Sequence, residues 1–297
     1  MNIRKRKEKE MRIHSFRGKV IWITGASSGI GEALACALAE RGAKLILSSR
    51  NKEALARVKK NCTKGLSEIH ILSLDLSKLK TLKRKAEKAL RMFGRIDLMI
   101  HNAGVAARDL AANTDIEVDK KIMDVNYFGP IALTKYILRS MLEQKSGHFV
   151  VNSSISGKFG VPKLSSYCAS KHALHGFFDS LRSEIADSGI KVTMAVPGFV
   201  RTDITVNAMR GDGTKYNKMM RVQERGIAPS DCARQILEAV AKNKEEIVLG
   251  GPEILSVYCK RFFPRLFSRI IRNHPVAKLN SFIDFFKIKR PSPKLEY

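Results

Sequence analysis

The sequence predicts an α/β fold, a single doubly wound parallel sheet of about seven strands with helices on both faces. Three observations predict it. Short apolar runs alternate with helix-spaced segments from Lys19 through Val196, the pattern that crossover helices and parallel strands leave in a chain. The runs are apolar at consecutive positions, as from Val20 to Ile23, which suits strands buried on both faces. The first run stops at a glycine-rich turn that opens directly into a helix.

Taken in order, Lys19 to Thr24 reads as the first strand. After the turn, Ile30, Ala33, Leu34, Ala37 and Leu38 recur at helical spacing, and Gly42 closes the segment. Lys44 to Ser48 is the second strand, followed by a charged helix from Asn51. A third strand is expected near His70 to Ser73, with a helix from about Ser77 to Met92. Asp97 to His101 is the fourth strand, and a long helix runs on through Met141. His148 to Asn152 is the fifth, with a helix from about Ser165 to Asp187. Lys191 to Val196 is the sixth, a further helix starts at Pro229 and Ser230, and Glu246 to Leu249 ends the sheet. In open sheets of this kind ligands bind beyond the carboxyl ends of the strands. The residues that carry chemistry should therefore follow the strands.

The 297 residues are 44% hydrophobic, enough for one substantial core. The expected organisation is a basic arm at 1–17, one catalytic domain at 18–250 and a basic extension at 251–297. Five scattered cysteines, with no CxxC pair, argue against a disulfide framework or a zinc site and suit a reducing compartment. The first residues are charged rather than apolar, so no signal peptide is expected, and no apolar run is long enough for a spanning helix. The expectation is a chain on the cytoplasmic side, soluble or peripheral to a membrane. The net charge of +26 is concentrated towards the ends. It predicts salt-sensitive attraction to anionic surfaces; no nucleic-acid module is visible, so specific nucleic-acid binding is not expected.

The turn after the first strand reads Thr24-Gly25-Ala26-Ser27-Ser28-Gly29-Ile30-Gly31. Glycines permit a tight bend and let backbone N–H groups at a helix N-terminus approach a pyrophosphate. With this TGxxxGxG spacing, the chain resembles the short-chain dehydrogenase/reductase family, and further motifs follow in that family's order from about Gly18 to Gly250. The resemblance implies a Rossmann-like sheet and a nicotinamide cofactor held by Gly25, Ser27, Ser28, Gly29, Ile30 and Gly31. It places Asp75 and Leu76 near the adenine, and Asn102, Ala103 and Gly104 in the family's NNAG element, with His101 replacing its first asparagine. Pro197, Gly198, Val200 and Thr202 match the element beside the nicotinamide.

Charge selects between the two cofactors. NAD sites place an acid at the end of the second strand to hold the ribose hydroxyls. Here the chain reads Ser48-Ser49-Arg50. Arg50 would pair with a 2′-phosphate that a carboxylate would repel. NADP(H) is the expected cofactor.

Tyr167 and Lys171 stand at i and i+4 of a helix, on one face. A neighbouring ammonium should favour the phenolate and bring tyrosine down from its usual value of about 10. Ser154 follows the fifth strand and would hydrogen-bond a substrate oxygen where charge develops. The resemblance implies that Ser154, Tyr167 and Lys171 form a catalytic set with Asn126. In that set Tyr167 exchanges the proton, Lys171 also holds the nicotinamide ribose, and Asn126 orients a water that relays the proton. Adjacent strand residues face opposite sides, so one of Ser153 and Ser154 should reach the site, and the resemblance selects Ser154; His172 and His175 read as packing or surface residues.

The resemblance makes 203–226 a substrate lid, and Met209, Tyr216, Met219 and Met220 there suit a lipophilic carbonyl or alcohol, or simply core packing. In the extension, Phe263, Phe267, Ile270 and Ile271 fall at helical spacing, interleaved with Arg261, Arg265, Arg269 and Arg272. Such a segment lies in a membrane interface, beside the substrate entrance or on a second subunit. A homodimer or homotetramer is the family's implied assembly. Three functional readings stand at this point: an NADP(H)-dependent oxidoreductase of lipophilic carbonyls, a lipid-pathway enzyme such as a 3-ketosphinganine reductase, and a non-catalytic NADP(H)-binding scaffold.

Overall fold

A computed structural model describes residues 16–62 and 67–273. Most of the arm expected at 1–17, and the extension beyond 273, lie outside the described residues. Seven parallel strands form one sheet in the order β3-β2-β1-β4-β5-β6-β7. They are β1 Val20–Thr24, β2 Lys44–Ser48, β3 Ile69–Ile71, β4 Leu98–His101, β5 Gly147–Asn152, β6 Ile190–Pro197 and β7 Glu246–Leu249. The third strand, expected near His70 to Ser73, falls at Ile69–Ile71, and beyond it Leu72 and Leu74 still donate backbone bonds to the carbonyls of Leu47 (2.9 Å) and Ser49 (3.0 Å).

Helices α1 (Gly29–Ala39), α2 (Lys52–Cys62) and α3 (Leu79–Phe93) connect the first four strands. The expected long helix before β5 is α4 (Ile116–Met123) and α5 (Gly129–Glu143), joined by a π-helical turn at Asp124–Phe128. Then come α6 (Ser165–Glu184), the short α7 (Arg221–Glu224), α8 (Pro229–Ala241), and a terminal pair, α9 (Leu255–Phe262) and α10 (Pro264–Asn273).

Strand alternation assigns the two cores. Ile21 and Ile23 of β1 join Leu34, Leu38 and Ile236 on one side, while Val20 and Trp22 join Leu82, Leu133 and Phe178 on the other. Both faces are thereby covered, which is why these strands lack polar alternation. Phe16 also packs into the first core, so the described end of the N-terminal arm belongs to the domain.

The chain starts at β1 and winds outwards first through β2 and β3, then the other way through β4 to β7. The direction reverses between β1 and β4, and the loops leaving these two strands diverge to opposite layers. That divergence opens a crevice at their carboxyl ends. The site lies there.

Candidate active site

The glycine turn forms one wall. Gly25 has φ +65°, and a Cβ there would stand 2.7 Å from the Cα of Ala103. Gly31 packs against the Gly25 carbonyl and stands so near Asn102 that a Cβ would fall 2.5 Å from its Nδ2. Only glycine lets the two loops close on each other. Asn102 ties them: its Nδ2 donates to the carbonyls of Thr24 (3.2 Å) and Gly25 (3.1 Å), and its Oδ1 accepts from Asn152 Nδ2 (2.9 Å). Thr24 Oγ1 accepts from the backbone N–H groups of Asn102 (3.2 Å) and Ala103 (3.3 Å). Ser28 precedes α1 with extended backbone and makes no side-chain cap bond. The first-turn N–H groups of α1 thus have no partner within their helix and no cap side chain, a ready anion site. The acid in that turn, Glu32, is drawn off by Arg57 (2.7 and 2.8 Å).

Eighteen of the twenty expected site residues line one cleft of about 600 Å³. They are Gly25, Ser27, Ser28, Gly29, Ile30, Arg50, Asp75, Leu76, Asn102, Ala103, Gly104, Ser154, Tyr167, Lys171, Pro197, Gly198, Val200 and Thr202. Gly31 and Asn126 stand behind the wall. Asp75 also spends one oxygen on Ser77, accepting from its backbone N–H (3.1 Å) and hydroxyl (2.8 Å).

Tyr167 and Lys171 face the cleft from α6, with the ammonium 5.7 Å from the centre of the phenol ring. Lys171 is buried and donates to the Asn152 carbonyl (2.9 Å). Ser154 sits extended at the end of β5, its hydroxyl accepting from Ser156 N–H (3.1 Å). Ser153 also borders the cleft, and its hydroxyl pairs with His175 (3.0 Å). Burial lowers the His175 imidazole to about 4, so it is a neutral packing group.

One expectation is corrected here. Burial pushes Tyr167 up to about 12, opposed by its hydrogen bond with Ser154, and lowers Lys171 to about 8. The sequence argument weighed the lysine charge alone, whereas the cost of holding either ion in the protein interior is larger. Asn126, in the π-turn, is held by three side-chain hydrogen bonds. Its Nδ2 donates to the Val105 carbonyl (2.9 Å) and to Ser170 Oγ (3.0 Å), and its Oδ1 accepts from Val105 N–H (2.8 Å). Its side chain clamps the loop that follows Gly104. The i+5 winding of the turn sets it facing that loop, and such turns are frequent at functional sites.

With this geometry in view, comparison with known proteins is decisive. The sequence model for short chain dehydrogenases matches residues 19–212. The chain belongs to the short-chain dehydrogenase family. It is 42% identical over 274 residues to the dehydrogenase/reductase SDR family protein 7-like of Anopheles gambiae, covering 89% of this chain and 85% of that relative. Among solved structures, a short-chain dehydrogenase of Streptomyces avermitilis superposes with a TM-score of 0.75 at 26% identity, covering 93% of this chain and all (100%) of that one. A metagenomic short-chain oxidoreductase, solved in complex with NADP, gives 0.66 at 26% identity over 79% of this chain and 97% of that one. The chain is thus an oxidoreductase with a cleft of the kind that holds a nicotinamide cofactor in its relatives.

Sequence reasoning missed three residues of this short-chain dehydrogenase's cleft. Glu253 is buried, and its Oε1 accepts from the N–H groups of Phe199 and Gly251 (both 2.9 Å), bracing the Pro197–Phe199 loop from beyond the last strand. Gln223, in α7, donates to the Val200 carbonyl (2.5 Å) and ties the lid to the same loop. Asn152 links Asn102 to the Lys171 contact. A Gly-Gly-Pro-Glu sequence after β7 was the one available signal, and it was read as the start of the tail. In the lid, Met220 lines the cleft, while Met209 packs with Ala107, Val118 and Ile122 instead. Of the three placements open for the extension, α10 takes the one beside the cleft: Phe267, Ile270 and Ile271 line it, and Phe267 packs on Phe159 with ring centres 4.9 Å apart.

Proposed function

We propose that the protein is an NADP(H)-dependent oxidoreductase that interconverts a lipophilic carbonyl compound and its alcohol. The observation that carries this reading is the meeting of Ser154, Tyr167 and Lys171 with the closed glycine turn in one cleft. The residues present fit the cofactor. The Gly25–Ala103 contact leaves backbone where a pyrophosphate would lie, the α1 N-terminus faces it, and Lys171 is a buried cation without an acidic partner among the described residues. Arg50 stands at the end of β2 with no carboxylate beside it in the turn, which favours a 2′-phosphate. The nicotinamide, when bound, supplies or accepts the hydride.

The chain's own groups do the rest. Ser154 donates a hydrogen bond to the substrate oxygen and steadies the charge that builds there. Tyr167, its phenol pushed up to about 12 by burial, gives its proton to that oxygen in reduction and takes it back in oxidation. Lys171 holds the ribose and offsets negative charge left on the phenol as the proton departs. Asn126 holds the Gly104–Val105 loop in place at the cleft wall. Phe159, Val161, Leu164, Met220, Phe267 and Ile271 make the far wall apolar, which supports a lipophilic substrate.

Five unbridged thiols favour a reducing compartment; we place the protein there, at the cytoplasmic side. Phe128, Tyr136 and Leu142, exposed on one side of the α5 segment, support self-association, which sedimentation velocity checks. The test of the central reading is turnover of lipophilic ketones and aldehydes with NADPH by the wild type and Tyr167→Phe. Expected is a fall in kcat of about 10³-fold or more with NADPH affinity unchanged. NADPH binding without turnover of any carbonyl in the wild type would favour the scaffold reading.

A further inference from the structure

The terminal helix pair has two sides, and the cleft accounts for one of them. On its inner side Cys259 and Phe267 are buried, and Ile270 and Ile271 line the cleft. Its outer side carries Tyr258, Phe262 and Phe263, which are 49%, 68% and 63% exposed. Tyr258 and Phe262 share a helix face at i and i+4. Phe263 sits at the corner, held out of the helix (φ −129°, ψ 59°) by the Pro264 that follows it. Three aromatic rings at one corner form a patch that water alone does not explain.

The charges of the helix pair are of one sign. Lys260, Arg261, Arg265, Arg269 and Arg272 lie on the same two helices, and no Asp or Glu occurs between Ile254 and Asn273. Arg265, Arg269 and Arg272 are exposed and spaced i, i+4, i+7 along α10, a single stripe. None of these five cations has an ion pair among the described residues. An apolar corner and unpaired cations on the same two helices match a surface with an apolar interior and anionic headgroups. A nucleic acid would also answer the charge. The aromatic corner, however, is continuous through α10 with an apolar cleft, which favours lipid.

We propose that the α9–α10 corner docks this protein on an anionic lipid surface, with Phe262 and Phe263 inserted among the acyl chains and the arginine stripe on the headgroups. Phe267, Ile270 and Ile271 then hold the cleft beside the membrane, where a lipophilic carbonyl is concentrated. This deepens the lipophilic-substrate reading by naming its source, although the docking itself needs no hydride chemistry.

The experiment is co-sedimentation of the full chain with phosphatidylcholine vesicles, with and without phosphatidylserine. The wild type should bind the anionic vesicles and be released by about 0.5 M salt, where charges are screened within a few ångströms. Phe262→Ser/Phe263→Ser should bind roughly tenfold or more weakly, and Arg265→Gln/Arg269→Gln should lose the preference for phosphatidylserine. Both variants should keep the wild-type melting temperature and NADPH affinity, since all four positions are exposed. Undiminished binding by the phenylalanine variant, or no binding by the wild type, overturns the proposal. So does a change in oligomeric mass in that variant, which would make the corner a seat for a second copy. Vesicle binding and turnover are read separately, so failure of docking is distinct from failure of the oxidoreductase reading.

Discussion

The cofactor end of the cleft is made of backbone, and the substrate end of side chains gathered from far along the chain. At the first, Gly25, Gly31, Ala103 and Asn102 come from two loops that leave adjacent strands, and what they offer is N–H groups and closeness. At the second, Phe159, Met220 and Phe267 come from a turn, a lid helix and the terminal helix pair. Backbone geometry needs particular residue types at fixed spacing, so it leaves a motif. An apolar wall needs only volume and hydrophobicity, which many residues supply in any order. The substrate end can therefore vary while the cofactor end cannot.

Perturbing each end separately breaks or sharpens this contrast. The largest effect is expected from Gly31→Ala, whose methyl would press on Asn102 and the Gly25 carbonyl. NADPH affinity, by fluorescence titration, should fall at least about a hundredfold, and stability by about 1–3 kcal/mol. Next, Arg50→Asp should move the ratio of NADPH to NADH affinity by about 10- to 100-fold towards NADH, the worth of one charge-assisted contact; an unmoved ratio removes Arg50 from the cofactor site. Phe267→Ala should act at the other end alone. It empties a place beside Phe159, so KM for a lipophilic carbonyl should rise by about tenfold while NADPH affinity stays as it was.

The smallest effect is a test of the frame that holds both ends together. Burial lowers His101 to about 3 and His148 to about 4, and His175 to about 4 with help from Lys158. Between pH 6.5 and 4 these imidazoles take up protons in the unfolded chain but not in the folded one. Stability should therefore fall as pH falls through that window and be flat above it. Melting temperature measured from pH 7.5 to 4.5 checks this. His148→Gln, which keeps a donor for Thr193 (2.8 Å), should reduce the acid slope.

The same division governs how much was legible beforehand. The parallel sheet with helices on both faces followed from alternation, and Ser154, Tyr167 and Lys171 were named through the family resemblance that their spacing carries. Glu253 was not legible, since a glutamate past the last strand looks like any solvated charge until the fold places it under Phe199. Gln223 was hidden for the same reason. The clamp that Asn126 forms was hidden too, because its residue type could be seen and its partners, Val105 and Ser170, could not.

By itself the sequence determined the sheet, the side of it that carries the site, and the residue types of the glycine turn and the Ser-Tyr-Lys set. All of these are local, depending on periodicity and fixed offsets along the chain. The tertiary structure alone decided the direction in which burial shifts Tyr167 and Lys171, the bracing by Glu253 and Gln223, and the seating of α10 against the cleft. Desolvation and long-range packing depend on what surrounds a group in three dimensions, and no window of sequence contains those neighbours.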